Sequence, residues 1–371
     1  MGKTGAEVVK GRLAALVGPT QIQIQEYPLP DVEKGAVLTK VLRSNLCGSE
    51  LHIWHWTHPL IKNAVLGHEM IAQIEVLGEG VETDYAGTPV KKGDRVVAPY
   101  YLTCQKCGPC SRGDFHMCLN AYRWWSQPPD KYPHFTGTFA THYYIQPGQY
   151  FYRVPDELPS SIVAGANCGL SQVLFGLEKA ALTSGEHLVI MGAGGLGLYA
   201  TAVGKDKGAI VTVVDAIASR LTVAKSFGAD HTVDLQAFSG EALTKKILEI
   251  TGGAGADVVL EVAGVSAAFT QGIQLVRTCG RLISIGNVSI DKKFEVPLAP
   301  GWITRKSVNI IGVVRYNPWY LLKSLKFLQR TFRNVDYEQL TDATFSLDQV
   351  QEALETSEKR IVTRAVIVPN P

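Results

Sequence analysis

The chain has 371 residues, long enough for two domains that each bury a core. Its 36 Lys and Arg stand against 34 Asp and Glu, a formal charge of +2 that argues against nucleic acid or another polyanion as partner. No run of 18 apolar residues provides a spanning helix, and the charged start lacks the apolar core of an export signal, so a cytoplasmic enzyme is expected.

From residue 12 to about residue 160, short β segments alternate with Gly and Pro, at 36–42, 75–77, 95–98 and 139–145. Gly-Asp turns stand at Gly93 and Gly113, and few helical patterns precede Pro159. This part reads as an irregular β barrel with long loops. Within it, Cys104, Cys107, Cys110 and Cys118 follow one another at intervals of three, three and eight residues. Four thiolates at that spacing converge on one tetrahedral point, the closed arrangement of a structural Zn²⁺. A disulfide knot is the alternative reading, but nothing else in the chain points to secretion. Such an ion braces a loop and leaves no position open for chemistry.

The texture changes near Ser160. Apolar strands are expected at 187–191, 210–214, 231–235, 257–261 and 281–285, with helices between them. This is the pattern of a parallel sheet covered on both faces. The first strand runs into Gly192-Ala-Gly194-Gly195-Leu196-Gly197, which opens a helix. Gly192 permits the tight turn, Gly194 lets a pyrophosphate approach the backbone, and Gly197 allows close helix–strand contact. Asp215 ends the next strand, where a carboxylate accepts ribose hydroxyls and disfavours a 2′-phosphate, so NAD is expected over NADP. Arg220, able to serve a 2′-phosphate, keeps NADP open. A further strand is expected at 308–314 and a helix over 319–330. A last strand at 364–368 should rejoin the first domain.

Three more residues have ligand character: Cys47, His68 and Cys168. Singly, each cysteine reads as a small buried apolar residue. Together the three make the Cys₂His set of a catalytic zinc with its fourth position open.

With Gly67-His68-Glu69, the four-cysteine lobe and the glycine loop in this order, the chain resembles the zinc-dependent medium-chain alcohol dehydrogenase family over nearly its full length. The resemblance implies an α/β fold of a GroES-like β-rich catalytic domain (1–160, completed by 300–371) interrupted by a Rossmann domain (161–299). The active site would lie in the cleft between them. It implies two zinc ions per chain and NAD, with Glu69 supporting or transiently joining the reactive zinc. Ser49 would pass the substrate proton to His52 as the exposed relay, and Glu50 would orient nearby groups. A plain surface histidine is the alternative for His52. Trp54, Trp56, Tyr100, Trp124 and Trp125 would border the substrate channel, although some of these rings are expected to pack the domain instead. Gln172 stands where members commonly carry threonine against the nicotinamide, and Arg315 would suit an acidic substrate.

The expected reaction is reversible oxidation of a small-molecule alcohol, bulky, apolar, cyclic or secondary, by a homodimer or homotetramer. A polyol or amino-alcohol dehydrogenase is the alternative, disfavoured because Cys168 stands where those relatives often carry a carboxylate. A non-catalytic nucleotide-binding protein is the remote one.

Overall fold

Pro19 and Thr20, the latter in the left-handed region at φ 59°, turn the chain from β1 (Lys10–Gly18) into the antiparallel β2 (Gln21–Pro28). The computed structural model describes residues 8–286, 290 and 292–370. The first of its two compact units continues with β3 (Val37–Asn45), α1 (Gly48–Trp54), β4 (Ala64–Val65), β5 (Ile71–Leu77) and β6 (Arg95–Val97). After α2 (Gly108–Ser111) come β7 (His142–Ile145), β8 (Tyr152–Arg153) and α3 (Ser160–Val163). β4 pairs with β1, β3 lies antiparallel to both β5 and β7, and β6 joins β5 to β8.

Register decides the chemistry here. Arg43 pairs with Ile71, so the end of β3 meets the start of β5. The residues just after one strand and just before the other therefore leave the sheet together, and these are Cys47 and His68. Alternate side chains behind them, among them Val37, Val41, Ala72, Ile74 and Val96, form a continuous apolar core. Although the sequence shows few helical patterns in this region, α1 forms directly after Cys47. The Glu50 carboxylate turns back to accept the Cys47 N–H at 2.8 Å, satisfying a donor that a helix start would otherwise orphan.

The second unit begins with α4 (Ser171–Lys179) and β9 (His187–Met191), then α5 (Gly195–Asp206), β10 (Ile210–Asp215), α6 (Ala218–Ser226) and β11 (His231–Asp234). It continues through α7 (Glu241–Ile250), β12 (Ala256–Glu261), α8 (Ser266–Leu275), β13 (Val276–Ser284), α9 (Gly301–Lys306), β14 (Asn309–Gly312) and α10 (Tyr320–Thr331). All six strands are parallel, in the order β11-β10-β9-β12-β13-β14. That is the doubly wound Rossmann order, whose direction reverses between β9 and β12. The central strands are apolar because helices cover both faces: Val189, Val214, Val259 and Leu282 are all buried in one cluster.

The domain limits differ from those expected at 160 and 300. The first unit runs on to Cys168, while α9 and β14 stay with the second, because β14 completes its sheet by pairing with β13. The chain regains the first unit at Leu325–Gln329 and again from Thr341. There β15 (Ala343–Ser346), α11 (Val350–Glu358) and β16 (Ala365–Val368) complete it, with β16 parallel to β15 and antiparallel to β3. Among the described residues, no helix is long and apolar enough to cross a membrane.

Candidate metal centres and nucleotide loop

Cys47 precedes α1, His68 lies between β4 and β5, and Cys168 sits in a short π-helical turn, Ala166–Leu170. One donor atom from each of these and from Glu69 lies within 4.8 Å of all the others, and all four residues are buried. His68 Nε2 is 3.1 Å from the Cys168 sulfur, and the two sulfurs are 4.0 Å apart, about twice a disulfide bond. The other ring nitrogen of His68, Nδ1, meets the Glu50 carboxylate, which fixes the ring and leaves Nε2 for a ligand. Glu69 is paired with Arg364, whose guanidinium reaches it from just before β16, and one Glu69 oxygen (Oε2) has no partner among the described residues.

The electrostatics of this buried set are lopsided. With both thiols and both carboxylates ionised and His68 neutral, as a metal ligand set requires, Cys47, Cys168, Glu50 and Glu69 bring four negative charges to the site against the single guanidinium of Arg364. A divalent cation relieves most of that excess, and two soft thiolates with an imidazole suit zinc. Of the protein groups, only Cys47 is shifted toward its deprotonated form by its neighbours, and the others are shifted toward holding their protons. The hydrogen bond from Cys168 holds the Cys47 thiol well below its usual range, and the same bond, with burial, holds Cys168 well above its own. Burial alone would lower His68, yet the facing Glu50 carboxylate and Cys47 keep it well above the usual imidazole range. Burial lifts Glu50, and it lifts Glu69 to about 8 despite the pull of Arg364.

Cys104, Cys107, Cys110 and Cys118 also converge, with donor atoms inside the same 4.8 Å limit. α2 begins just after Cys107, and the Cys107 and Cys118 sulfurs are 4.0 Å apart, too far to be bonded. Backbone N–H groups, that of Lys106 foremost, lower Cys104 to about 6, whereas burial pushes Cys110 up to about 12. The donors are four sulfurs with no other ligand type, which fits a closed ion and leaves no site for a substrate.

In the second unit each loop glycine has its own reason. Gly192 has φ 109°, and a Cβ there would stand 2.9 Å from Ala263 Cα. A Cβ on Gly197 would stand 1.9 Å from the Gly192 carbonyl oxygen, so α5 can begin this close only with glycine. Gly194 is the reverse case: nothing lies within 4 Å of a Cβ there, which leaves open space at the N-terminus of a 12-residue helix. Gly195 is the first residue of that helix, and Leu196 packs over Gly169. Asp215 ends β10 as expected, but its carboxylate is already engaged, accepting the Ala193 N–H at 2.6 Å and the Ile217 N–H at 2.9 Å. It therefore shapes the glycine loop itself, with one further lone pair on each oxygen for a ribose hydroxyl. Arg220 is half-buried in the first turn of α6.

The aromatic residues separate into two groups. Tyr100 and Trp125 have ring centroids 4.7 and 5.1 Å from that of His68. Trp125 is buried and donates its indole N–H to the Val65 carbonyl, and Trp54 is buried too, so both serve packing. Trp56 and Trp124 are half-buried, each with a cation near its ring: Lys62 at 5.7 Å and Arg123 at 5.4 Å. Tyr100, Trp124 and Trp125 do border a common cavity, but its volume is about 10 Å³, room for one water.

Residues 33–156 match the alcohol dehydrogenase GroES-like domain, and residues 195–330 match the zinc-binding dehydrogenase domain. A 5-exo-hydroxycamphor dehydrogenase of Pseudomonas putida is 30% identical over 96% of this chain and 98% of its own. The chain belongs to the zinc-dependent medium-chain dehydrogenase family. A sorbitol dehydrogenase of Bacillus subtilis strain 168 is 31% identical over 97% of each chain. Among solved structures, an alcohol dehydrogenase of Thermotoga maritima superposes with a TM-score of 0.90 at 27% identity, over 98% of this chain and all of the other. The protein is accordingly an oxidoreductase acting on alcohol groups, with the GroES-like and Rossmann-like parts of this family.

Within the family frame, Ser49 and His52 lie three residues apart on α1, hence on one helix face, and both are half-buried. Reading the sequence left two participants without their partners. The sequence placed Glu50 only as an orienting group, whereas it holds both the Cys47 N–H and the His68 ring. It took Arg364 only as the first residue of the last strand, and the signal there was a lone arginine opening the apolar tail run.

Proposed function

We propose that this protein uses zinc and NAD to oxidise a bulky apolar alcohol, cyclic or secondary, to its carbonyl, and runs the reverse reduction. The observation that carries this reading is the buried convergence of Cys47, His68 and Cys168, with the aromatic rings of Tyr100 and Trp125 packed beside His68. Zinc held by those three residues supplies Lewis acidity that lowers the pKa of a substrate hydroxyl, and NAD supplies the hydride acceptor. The chain does the rest. Glu50 keeps the His68 ring in one tautomer and orientation. Ser49 takes the hydroxyl proton, and His52, one helical turn on and partly exposed, releases it to water. The open Gly194 and the first N–H groups of α5 bind the cofactor diphosphate, and Asp215 accepts from the adenosine ribose. A second zinc on the four cysteines braces their lobe without entering the reaction.

The similarity to a hydroxycamphor dehydrogenase fits a rigid apolar substrate; that to a sorbitol dehydrogenase favours the second reading, a polyol. Initial rates of NAD reduction at 340 nm over a panel of bicyclic, cyclic and aromatic alcohols, sorbitol and threonine decide between them. A kcat/KM at least tenfold higher on the apolar members is expected. Higher efficiency on sorbitol or threonine overturns the substrate class. Turnover unchanged in Cys47→Ala overturns the chemistry. We place the protein in the cytoplasm as a homodimer or homotetramer, which light scattering of the purified chain tests.

A further inference from the structure

Cys168 is held by a turn whose geometry is unusual. Ala166–Leu170 winds as a π-helix, every residue of it is buried, and such turns are concentrated at functional sites. The residue beside the ligand, Asn167, is 1% exposed. Its carboxamide nitrogen donates to the His68 carbonyl and to the Ala98 carbonyl, each at 2.8 Å, and its oxygen accepts the Met70 N–H at 3.3 Å. One side chain therefore grips the backbone on both sides of Glu69 and ties it to the strand end at Ala98. Between those two points the Glu69 carbonyl is held by the Ser44 hydroxyl at 2.6 Å.

We propose that Asn167 is a positioning residue for the zinc site: it locks the His68–Met70 backbone to the turn that carries Cys168, so that ligands 100 positions apart in sequence hold one fixed separation. This rests on the reading that Cys47, His68 and Cys168 hold zinc. A carboxamide is suited to the task. Two donors and an acceptor in one plane match two carbonyls and an amide, which neither an aspartate nor a serine can reproduce. The alternative is that Asn167 merely satisfies buried backbone groups, stabilising the fold with no bearing on the metal.

The two roles separate by measurement. Asn167→Ala and the isosteric Asn167→Asp are purified with zinc, and zinc is withdrawn by chelator competition, with the four-cysteine ion as internal reference. Positioning predicts that the ion at Cys47, His68 and Cys168 is lost 10- to 100-fold more readily in both variants, while the reference ion is unchanged. Cobalt substituted at the same site should show shifted d–d bands. A lower melting temperature with both zinc affinities and the cobalt spectrum as in the parent overturns the proposal, and so does failure of both variants to fold, which assigns Asn167 to structure alone. The underlying reading fails separately, and visibly, if Cys47→Ala leaves the parent zinc content unchanged.

Discussion

Gly67 offers a sharp test of how the metal centre is built, because two distinct costs meet at one atom. Its φ is +86°, and a Cβ would stand 2.5 Å from the Phe139 amide nitrogen, 2.5 Å from Phe139 Cδ1 and 2.7 Å from Thr138 Oγ1. Phe139 cannot withdraw: it is fully buried, its N–H donates to the Leu66 carbonyl, and its carbonyl accepts the Ala14 N–H, both at 2.8 Å. Thr138 in turn donates its N–H to the Gly67 carbonyl at 2.9 Å. For Gly67→Ala, the left-handed backbone costs roughly 1–2 kcal/mol, and forcing a methyl into a packed core adds about 1–3 kcal/mol. Gly80 has almost the same φ, +82°, but nothing within 4 Å of its Cβ position, so Gly80→Ala isolates the first cost. For a unit of this size each kcal/mol shifts the melting temperature by ~2–4 °C. Thermal denaturation should therefore place Gly67→Ala on the order of 10 °C below the parent and clearly below Gly80→Ala. Because residue 68 is the proposed imidazole ligand, the clash also displaces a donor, and zinc content should fall in Gly67→Ala alone. Equal melting temperatures for the two variants, with full zinc in both, would refute the account of why glycine precedes His68.

Cys104→Ser should reduce zinc from the proposed two ions per chain to one by elemental analysis, and lower the melting temperature while the remaining ion stays chelator-resistant. Asp215→Asn removes the charge from an acceptor that the ribose is proposed to use. A hydrogen bond to a charged group is worth about 1.5–3 kcal/mol, so KM for NAD should rise roughly 10- to 100-fold, with kcat changed much less. An amide offers one accepting oxygen where Asp215 uses two, so one of the Ala193 and Ile217 contacts is lost as well, and a lower melting temperature should register that loss separately from the change in KM. His142 is buried beside Glu75 at 3.0 Å, and desolvation by burial, outweighing Glu75, holds its pKa below the usual imidazole value. The unfolded chain therefore binds more protons in mild acid, and the stability this site contributes is complete above a pH of about 6.5 and lost as pH falls through the lowered folded value. Urea titrations at several pH values should show that loss in the parent and a shallower slope in His142→Gln.

What could be read from the sequence follows from how far a residue's partners lie along the chain. The four cysteines and the glycine loop are local patterns: their donors or turns occur within a few residues, so spacing alone conveys the geometry. Cys47, His68 and Cys168 were legible by a weaker argument, the rarity of their residue types. What brings them together is the β3–β5 register, and no spacing encodes that. Arg364 shows the limit. Its partner Glu69 is 295 positions away, and an arginine before an apolar strand gives no hint that it will be buried against a carboxylate. Residues 308–314 were recognised as strand, but apolar content says nothing about which sheet a strand joins. It was parallel pairing with β13 that kept β14 in the Rossmann unit and moved the expected limit at 300. Asp215 is more instructive. It ends its strand as expected and was read as an acceptor for ribose hydroxyls, and the structure gives it a prior task, holding the Ala193 and Ile217 amides. A motif specifies which group must be present, while the folded backbone decides how many partners that group serves, and the same reasoning explains why an asparagine next to a proposed metal ligand was invisible until its three backbone contacts were in place.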